Sequence, residues 1–199
     1  MQKLIEQIVD SLADSSLYIG REILTPSELS LINQFVDENA REFIQAKVGK
    51  IQRERREDIR GDYTLWLDPA NPQMAFKEIT TFLEDLKKRL NQKLYLGLKE
   101  FEYHLAIYPK DSFYKIHLDR FEVDSSRCVT FIFYLTPNWI KGDGGELVIY
   151  DKQGNVLQII EPLGGTLVCF LSDEFPHEVK MALKERRSLT GWIHNKIIY

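Results

Sequence analysis

Two side chains able to bind a metal stand one residue apart in the stretch YKIHLDRF, where His117 and Asp119 flank Leu118. In an extended strand residues i and i+2 share a face, so the imidazole and the carboxylate are expected side by side, with Leu118 turned into the packing layer behind them. A useful site needs a third donor, and His177 in SDEFPHEV, at the start of another extended run, offers one. Two histidines and a carboxylate on one side of an ion are the ligand set of non-haem Fe(II) oxygenases, which keep the remaining octahedral positions open. An isolated His-x-Asp pair reads as an ordinary polar pair; the second histidine and the residues after it change that reading.

Nine residues beyond His177 come Arg186, Arg187 and Ser188, then LTGW. Alternation puts Arg186, Ser188, Thr190 and Trp192 on one face and Arg187, Leu189, Gly191 and Ile193 on the other. Parity leaves open which face is interior. A guanidinium inside an apolar barrel is costly unless an anion meets it, and its planar fork suits a carboxylate gripped by two hydrogen bonds. A dicarboxylate co-substrate would supply that anion, with the Ser188 hydroxyl as a further donor.

These residues sit in the second half of the chain, where FEYHLAIYP, SFYKIHLDRF, RCVTFIFYLT, GELVIYD, VLQIIEP, GTLVCFLSD, HEVKMAL and RRSLTGWIHNKIIY are short, β-branched and aromatic, with Pro, Gly, Asp and Asn between them. Seven or eight strands without intervening helices predict an antiparallel sandwich or barrel, the jelly roll first. The first hundred residues read mainly as helix: QKLIEQIVDSLAD, then TPSELSLINQFVDENAREFIQA with Thr25 as N-cap and Pro26 at its first position, then NPQMAFKEITTFLEDLKKRLNQKL. Between the last two lie a charge run, Lys50 to Asp58, expected as an exposed loop, and DYTLWLD, expected as a short strand.

At 199 residues the chain suits one domain with a sizeable core. A net charge of -4 argues against a general nucleic-acid binder. No apolar run is long enough to span a membrane. The N-terminus, with acids among its apolar positions, is not expected to be a signal peptide. The two cysteines, Cys128 and Cys169, lie in apolar runs and are expected as buried, reduced thiols, which fits a cytoplasmic setting.

The order His117-x-Asp119, His177, Arg186-x-Ser188 resembles the 2-oxoglutarate and Fe(II)-dependent dioxygenases of the prolyl 4-hydroxylase-like branch. RGDYTLWLD, YPKDSFYKIHLD, RCVTFIFYLTPNW, GDGGELVIY and PHEV followed by RRSLTGW are similar, in the same order, to motifs of the hypoxia-inducible-factor prolyl hydroxylases, over Arg60 to Trp192. The resemblance implies an α+β fold, a double-stranded β-helix (jelly roll) with N-terminal helices packed on one sheet. It also implies a single domain over residues 1–199, with a mainly helical scaffold at 1–98, a substrate loop at about 47–62 and the jelly-roll core at 99–199.

For the site, the resemblance makes His117, Asp119 and His177 the iron ligands. Arg186, with Tyr134 and Ser188, would hold the distal carboxylate of 2-oxoglutarate, and Tyr108 would line the same pocket. Trp192, Arg60 and Asp62 fall on the substrate side, and Tyr114 matches a family tyrosine without a role from sequence. For Tyr108 and Tyr134 a core aromatic is the competing reading. His104 departs from the family, which carries an apolar residue there; it either adds a polar contact or is a satisfied core histidine. Lys50 to Asp58 would be the loop that closes over a peptide, and any C-terminal helix that relatives use is missing or minimal after HNKIIY.

The implied reaction hydroxylates a prolyl residue of a protein or peptide with Fe(II), 2-oxoglutarate and O2, releasing succinate and CO2, with ascorbate in support. The alternatives are an oxygenase of a free amino acid or another small molecule, and a non-catalytic jelly-roll binding domain. A cupin-like isomerase or hydrolase would need further histidines, and His104 and His194 are not spaced to supply them. The oligomeric state is left open.

Overall fold

Apolar residues spaced three or four apart become single buried stripes in the computed structural model, which describes residues 1–46, 59–120 and 126–197. Helix α1 (Gln2–Ser15) turns Ile5, Ile8, Val9 and Leu12 inward. Helix α2 (Pro26–Glu38) starts on a capping box: the Thr25 hydroxyl accepts from the Glu28 N–H, and the Glu28 carboxylate accepts from the Thr25 N–H at 2.6 Å. Helix α3 (Lys77–Leu94) buries Ile79, Phe82, Leu83, Leu86 and Leu90, each burial worth about 1.5–3 kcal/mol.

Helix α2 ends at Glu38, well before the apolar pattern does, and the reason is local. The Asn39 side-chain amide donates to the Phe35 carbonyl at 2.8 Å, closing the last turn, and a short 3-10 turn follows at Ala40–Glu42. The next residues then pair with a sheet instead of extending the helix.

The strands are β1 (Leu17–Gly20), β2 (Ile44–Gln45), β3 (Tyr63–Leu67), β4 (Glu100–Tyr108), β5 (Tyr114–His117), β6 (Arg127–Tyr134), β7 (Leu147–Tyr150), β8 (Val156–Ile160), β9 (Leu167–Leu171), β10 (His177–Val179) and β11 (Arg186–His194). They form two antiparallel sheets, one ordered β1-β9-β6-β11-β4-β3-β2 and the other β5-β10-β7-β8. Strands β1 and β2 are too short to show a pattern in sequence; they extend the two edges of the large sheet. Residues 180–183 of the run HEVKMAL lie beyond the end of β10.

Alternation splits the large sheet into two cores. Phe101, Tyr103, Leu105, Phe131, Phe133, Leu189 and Ile193 face the helices. Ala106, Tyr108, Ile132, Tyr134, Val168 and Phe170 face Leu147, Ile149 and Val179 of the small sheet. The result is a jelly roll with helices on one sheet. Cys169 is fully buried, which pushes its thiol well above its ordinary range, whereas Cys128 is only half-buried. No described helix is long and apolar enough to cross a membrane.

Gly191 shows how tightly the helix-side face is filled. A Cβ there would stand 2.2 Å from the Glu102 carbonyl oxygen, 2.5 Å from Phe131 and 2.7 Å from Cβ of Tyr103. Two of the three obstacles are backbone or the root of a side chain, so relief requires the strands to part. Gly191→Ala is expected to destabilise the fold by about 3 kcal/mol, read as a lower denaturant midpoint.

Candidate functional site

Strand pairing brings the two histidines together. His177 opens β10 directly across from His117, the last residue of β5, and on its other side faces Ile149 of β7. Nδ1 of His117 lies 2.8 Å from the Lys115 carbonyl and Nδ1 of His177 lies 3.0 Å from the Phe175 carbonyl. A carbonyl only accepts, so both hydrogens sit on Nδ1 and both Nε2 lone pairs are free to bind a metal. Those Nε2 atoms are 3.7 and 3.5 Å from the two oxygens of Asp119, and one ligand atom from each residue lies within 4.8 Å of the others.

Asp119 arrives differently from the alternation argument. Strand β5 stops at His117 and Asp119 occupies the bend beyond it, where the Thr130 hydroxyl of β6 donates to Oδ2 at 2.9 Å and in turn meets Ser172 Oγ at 2.9 Å. Leu118 is correspondingly not in a packing layer: it is 38% exposed. Burial opposes the Asp119 charge, but His177, His117, Arg127 and the Thr130 hydroxyl outweigh it and hold the carboxyl below its usual range. Burial, and then His177 beside it, push His117 down to about 3, so its imidazole is neutral at physiological pH.

Support for His117 comes from Tyr114, which had no role from sequence, and behind it from Arg60 and Asp62, expected on the substrate side. The Tyr114 ring stacks on the His117 ring with centroids 3.7 Å apart, and the Arg60 guanidinium lies 4.3 Å from the Tyr114 centroid. Arg60 grips Asp62 with two hydrogen bonds of 2.7 and 2.5 Å, and Asp62 is completely buried. Arg60 and Asp62 thus brace the metal-side wall through Tyr114.

Strand β11 resolves the parity left open by sequence. Arg186 is 2% exposed and points between the sheets, its guanidinium carbon 4.7 Å from the Tyr108 ring centroid and 5.0 Å from that of Tyr134. Its Nη1 donates to Ser188 Oγ at 3.3 Å, while Nε has no partner and no carboxylate pairs with it among the described residues. The Tyr134 hydroxyl beside it also lacks an ordinary hydrogen bond; burial raises its pKa and Arg186 holds it back. Burial, with Asp62 next, drives Tyr108 far above its ordinary range, so both phenols remain donors.

Arg187 goes the other way, to Asp37 at 2.8 Å, Glu185 at 2.7 Å and Asn33 at 3.0 Å. The GDGG turn makes room for Arg186: Gly145, at φ +77, would place a Cβ 3.0 Å from Arg186 Cδ. A buried guanidinium with an idle Nε beside an idle phenol is a cradle for an anion.

A third group of side chains lines the same inner face. Trp66, His104 and Trp192 form a tilted aromatic trio, with His104 4.7 Å from Trp66 and 5.5 Å from Trp192. The Arg127 guanidinium lies 3.5 Å over the Trp192 ring and donates to Glu102 at 2.9 Å, and Glu102 meets His194 Nε2 at 3.3 Å. The buried Nδ1 of His104 has no partner among the described residues, unlike that of a satisfied core histidine. Thr130, Trp66, Arg127 and Glu102 escaped the sequence reading because nothing in a lone residue of a strand reveals what its cross-strand neighbours do. The loop Lys50 to Asp58 lies outside the described residues.

Burial lowers the His104 pKa from 6.5 to about 4, with Asp62 opposing and Arg60 and Arg127 reinforcing the shift. As pH falls the unfolded chain takes up this proton first, so the stability tied to a neutral His104 is full above pH 6.5 and drains towards pH 4. Between pH 7 and 5 the protein is expected to lose about 2 kcal/mol through this residue. Urea midpoints at the two pH values check it, with His104→Leu removing that part of the slope.

The profile of the 2OG-Fe(II) oxygenase superfamily matches residues 103–194, which span all three metal-capable residues and Arg186. Human Egl nine homolog 1 is 34% identical over 141 residues, which cover 68% of this chain and 33% of that protein. The chain thus spans about a third of that curated relative. The crystal structure of a Pseudomonas putida prolyl-4-hydroxylase is 36% identical, with a TM-score of 0.86 over 97% of this chain and 100% of the other. A Trichoplax adhaerens prolyl hydroxylase, solved with a hypoxia inducible factor oxygen degradation domain peptide fragment, is 27% identical, with a TM-score of 0.86 over 98% of this chain and 90% of the other.

Proposed function

The chain belongs to the 2OG-Fe(II) oxygenase superfamily, alongside its prolyl hydroxylases, and from that premise we propose that it hydroxylates a prolyl residue in a protein or peptide, converting 2-oxoglutarate and O2 to succinate and CO2. The observation that carries the reading is a cluster of two imidazoles and a carboxylate within 4.8 Å of one another, in a protein that also buries, between its sheets, a guanidinium with no carboxylate partner among the described residues. Nitrogen and oxygen donors of this kind fit divalent iron, and the guanidinium with two phenols fits a carboxylate.

In this reading His117, Asp119 and His177 hold the metal, and the carbonyls of Lys115 and Phe175 fix both imidazoles in the ligating tautomer. Thr130 keeps the Asp119 carboxylate oriented and charged. Arg186, with Tyr134 and Ser188, binds the distal carboxylate of 2-oxoglutarate, and Tyr108 closes the pocket beside it. Iron and 2-oxoglutarate together supply the oxidising power that amino-acid side chains lack. The protein supplies orientation and a shielded cavity. We keep ascorbate as a supporting reductant, and infer a cytoplasmic setting from the two unpaired thiols.

The test is succinate formation by protein given Fe(II), ascorbate and 2-oxoglutarate under air, with and without proline-containing peptides. Peptide-stimulated succinate with a mass gain of about 16 Da on proline, one oxygen atom, is expected. No bound iron together with no succinate under any condition would sink the reading.

A further inference from the structure

Beyond the metal-capable cluster, two buried ring nitrogens on the inner face of the large sheet have no partner among the described residues: Nδ1 of His104 and Nε1 of Trp192. His104 is 4% exposed and Trp192 7%, so both rings are shielded from bulk solvent. Strands β4 and β11 pair Thr190 with His104 and Trp192 with Glu102, which makes the two rings diagonal neighbours on one face. Trp66, 51% exposed, stands against both at 4.7 and 6.3 Å, so the aromatic trio runs from the buried face of the sheet to the surface.

The chemistry of the trio is specific. An indole N–H only donates, and a neutral imidazole with its hydrogen on Nδ1 donates from that atom. The charged groups around the trio are already spent on one another, Arg60 on Asp62 and Arg127 on Glu102. With the His104 hydrogen on Nδ1, what is left unmet is a demand for a neutral acceptor with two lone pairs. A peptide carbonyl oxygen is such an acceptor; a free carboxylate would sit close to the Asp62 and Glu102 charges. A buried donor without a partner is costly, and a folded protein retains that cost where a ligand completes the pair.

We propose that His104 and Trp192 jointly donate to one main-chain carbonyl oxygen of the substrate, beside the residue that is oxidised, and that His104 thereby selects a peptide over a free amino acid. The inference rests on the oxygenase reading and deepens it on the substrate side. His104 is a contact to the substrate and has no part in holding the metal or 2-oxoglutarate.

The experiment compares the parent protein, His104→Leu and His104→Asn, each with Fe(II) and 2-oxoglutarate, against a set of N-acetylated pentapeptide amides with central proline. Three quantities are read: peptide KM and kcat from succinate, peptide affinity by anaerobic calorimetry, and succinate formed without peptide. His104→Leu is expected to raise the peptide KM and Kd about tenfold, the scale of one buried hydrogen bond, with kcat and peptide-free succinate within about twofold. His104→Asn, whose amide N–H reaches towards the place of Nδ1, is expected to recover most of the affinity.

Thioamide replacement of the contacted carbonyl, a weaker acceptor, should weaken binding to the parent and leave His104→Leu indifferent. Parental peptide KM and Kd in His104→Leu overturn the inference, as does an equal loss of peptide-free turnover, the mark of a packing role. A parent that oxidises free proline as readily as the peptides overturns it too. A parent that forms no succinate at all removes the oxygenase reading together with the inference; normal parental turnover beside an unchanged His104→Leu removes the inference alone.

Discussion

Asp119→Ala is expected to abolish turnover while leaving the protein folded. The substitution removes the carboxylate of the cluster and leaves two imidazoles, 4.3 Å apart between ring centroids, to hold a divalent ion alone. Loss of a buried charged contact of this kind costs roughly 3–5 kcal/mol, about two to four orders of magnitude in ion affinity. Chelator competition measures that loss directly. An independent readout is thermal: an ion that binds only the folded state stabilises it by about 2.7 kcal/mol at a hundredfold excess over Kd. The parent should gain that stabilisation and Asp119→Ala should not. A variant that keeps both the thermal response and succinate formation would show that the cluster is not the metal site.

The second large effect separates two adjacent arginines. Arg186→Met is expected to raise the 2-oxoglutarate KM roughly 100-fold, as expected when one partner of a buried, hydrogen-bonded charge pair is removed. Arg187→Ala is expected to leave that KM within about twofold, because its contacts run to Asp37, Glu185 and Asn33 on the far side of the strand. Stability should move the other way. Without an anion the Arg186 guanidinium is an uncompensated buried charge, so Arg186→Met is expected to stabilise the ligand-free protein by about 1–4 kcal/mol. A co-substrate KM that followed Arg187 instead would refute the assignment of the anion pocket.

Much of the site was legible because strand geometry is simple. Period-two alternation placed Arg186, Ser188 and Trp192 on one face of β11, and the face proved to be the inner one. What alternation cannot state is where a strand stops: β5 ends at His117, so Asp119 reaches the cluster from a bend and Leu118 turns to solvent. Helix α2 was overestimated for a related reason, since the apolar spacing of residues 43 and 44 fits a helix until a sheet edge competes for the same backbone. Tyr114 and Thr130 acquire meaning only through contacts between distant strands, the stacking on His117 and the hydrogen bond to Asp119. His104 could be recognised as unusual from sequence, but its missing partner is a property of the packed interior alone.

The solitary guanidinium of Arg186 bears on how the catalytic cycle ends. The proposed co-substrate and its product are both dicarboxylates, and the product keeps the carboxylate that Arg186, Tyr134 and Ser188 would grip. The cavity therefore has no charge-based means of telling spent from fresh ligand at that end, and succinate should compete with 2-oxoglutarate for vacancy. Turnover in a succinate-rich compartment would then be governed by the ratio of the two acids more than by the amount of either.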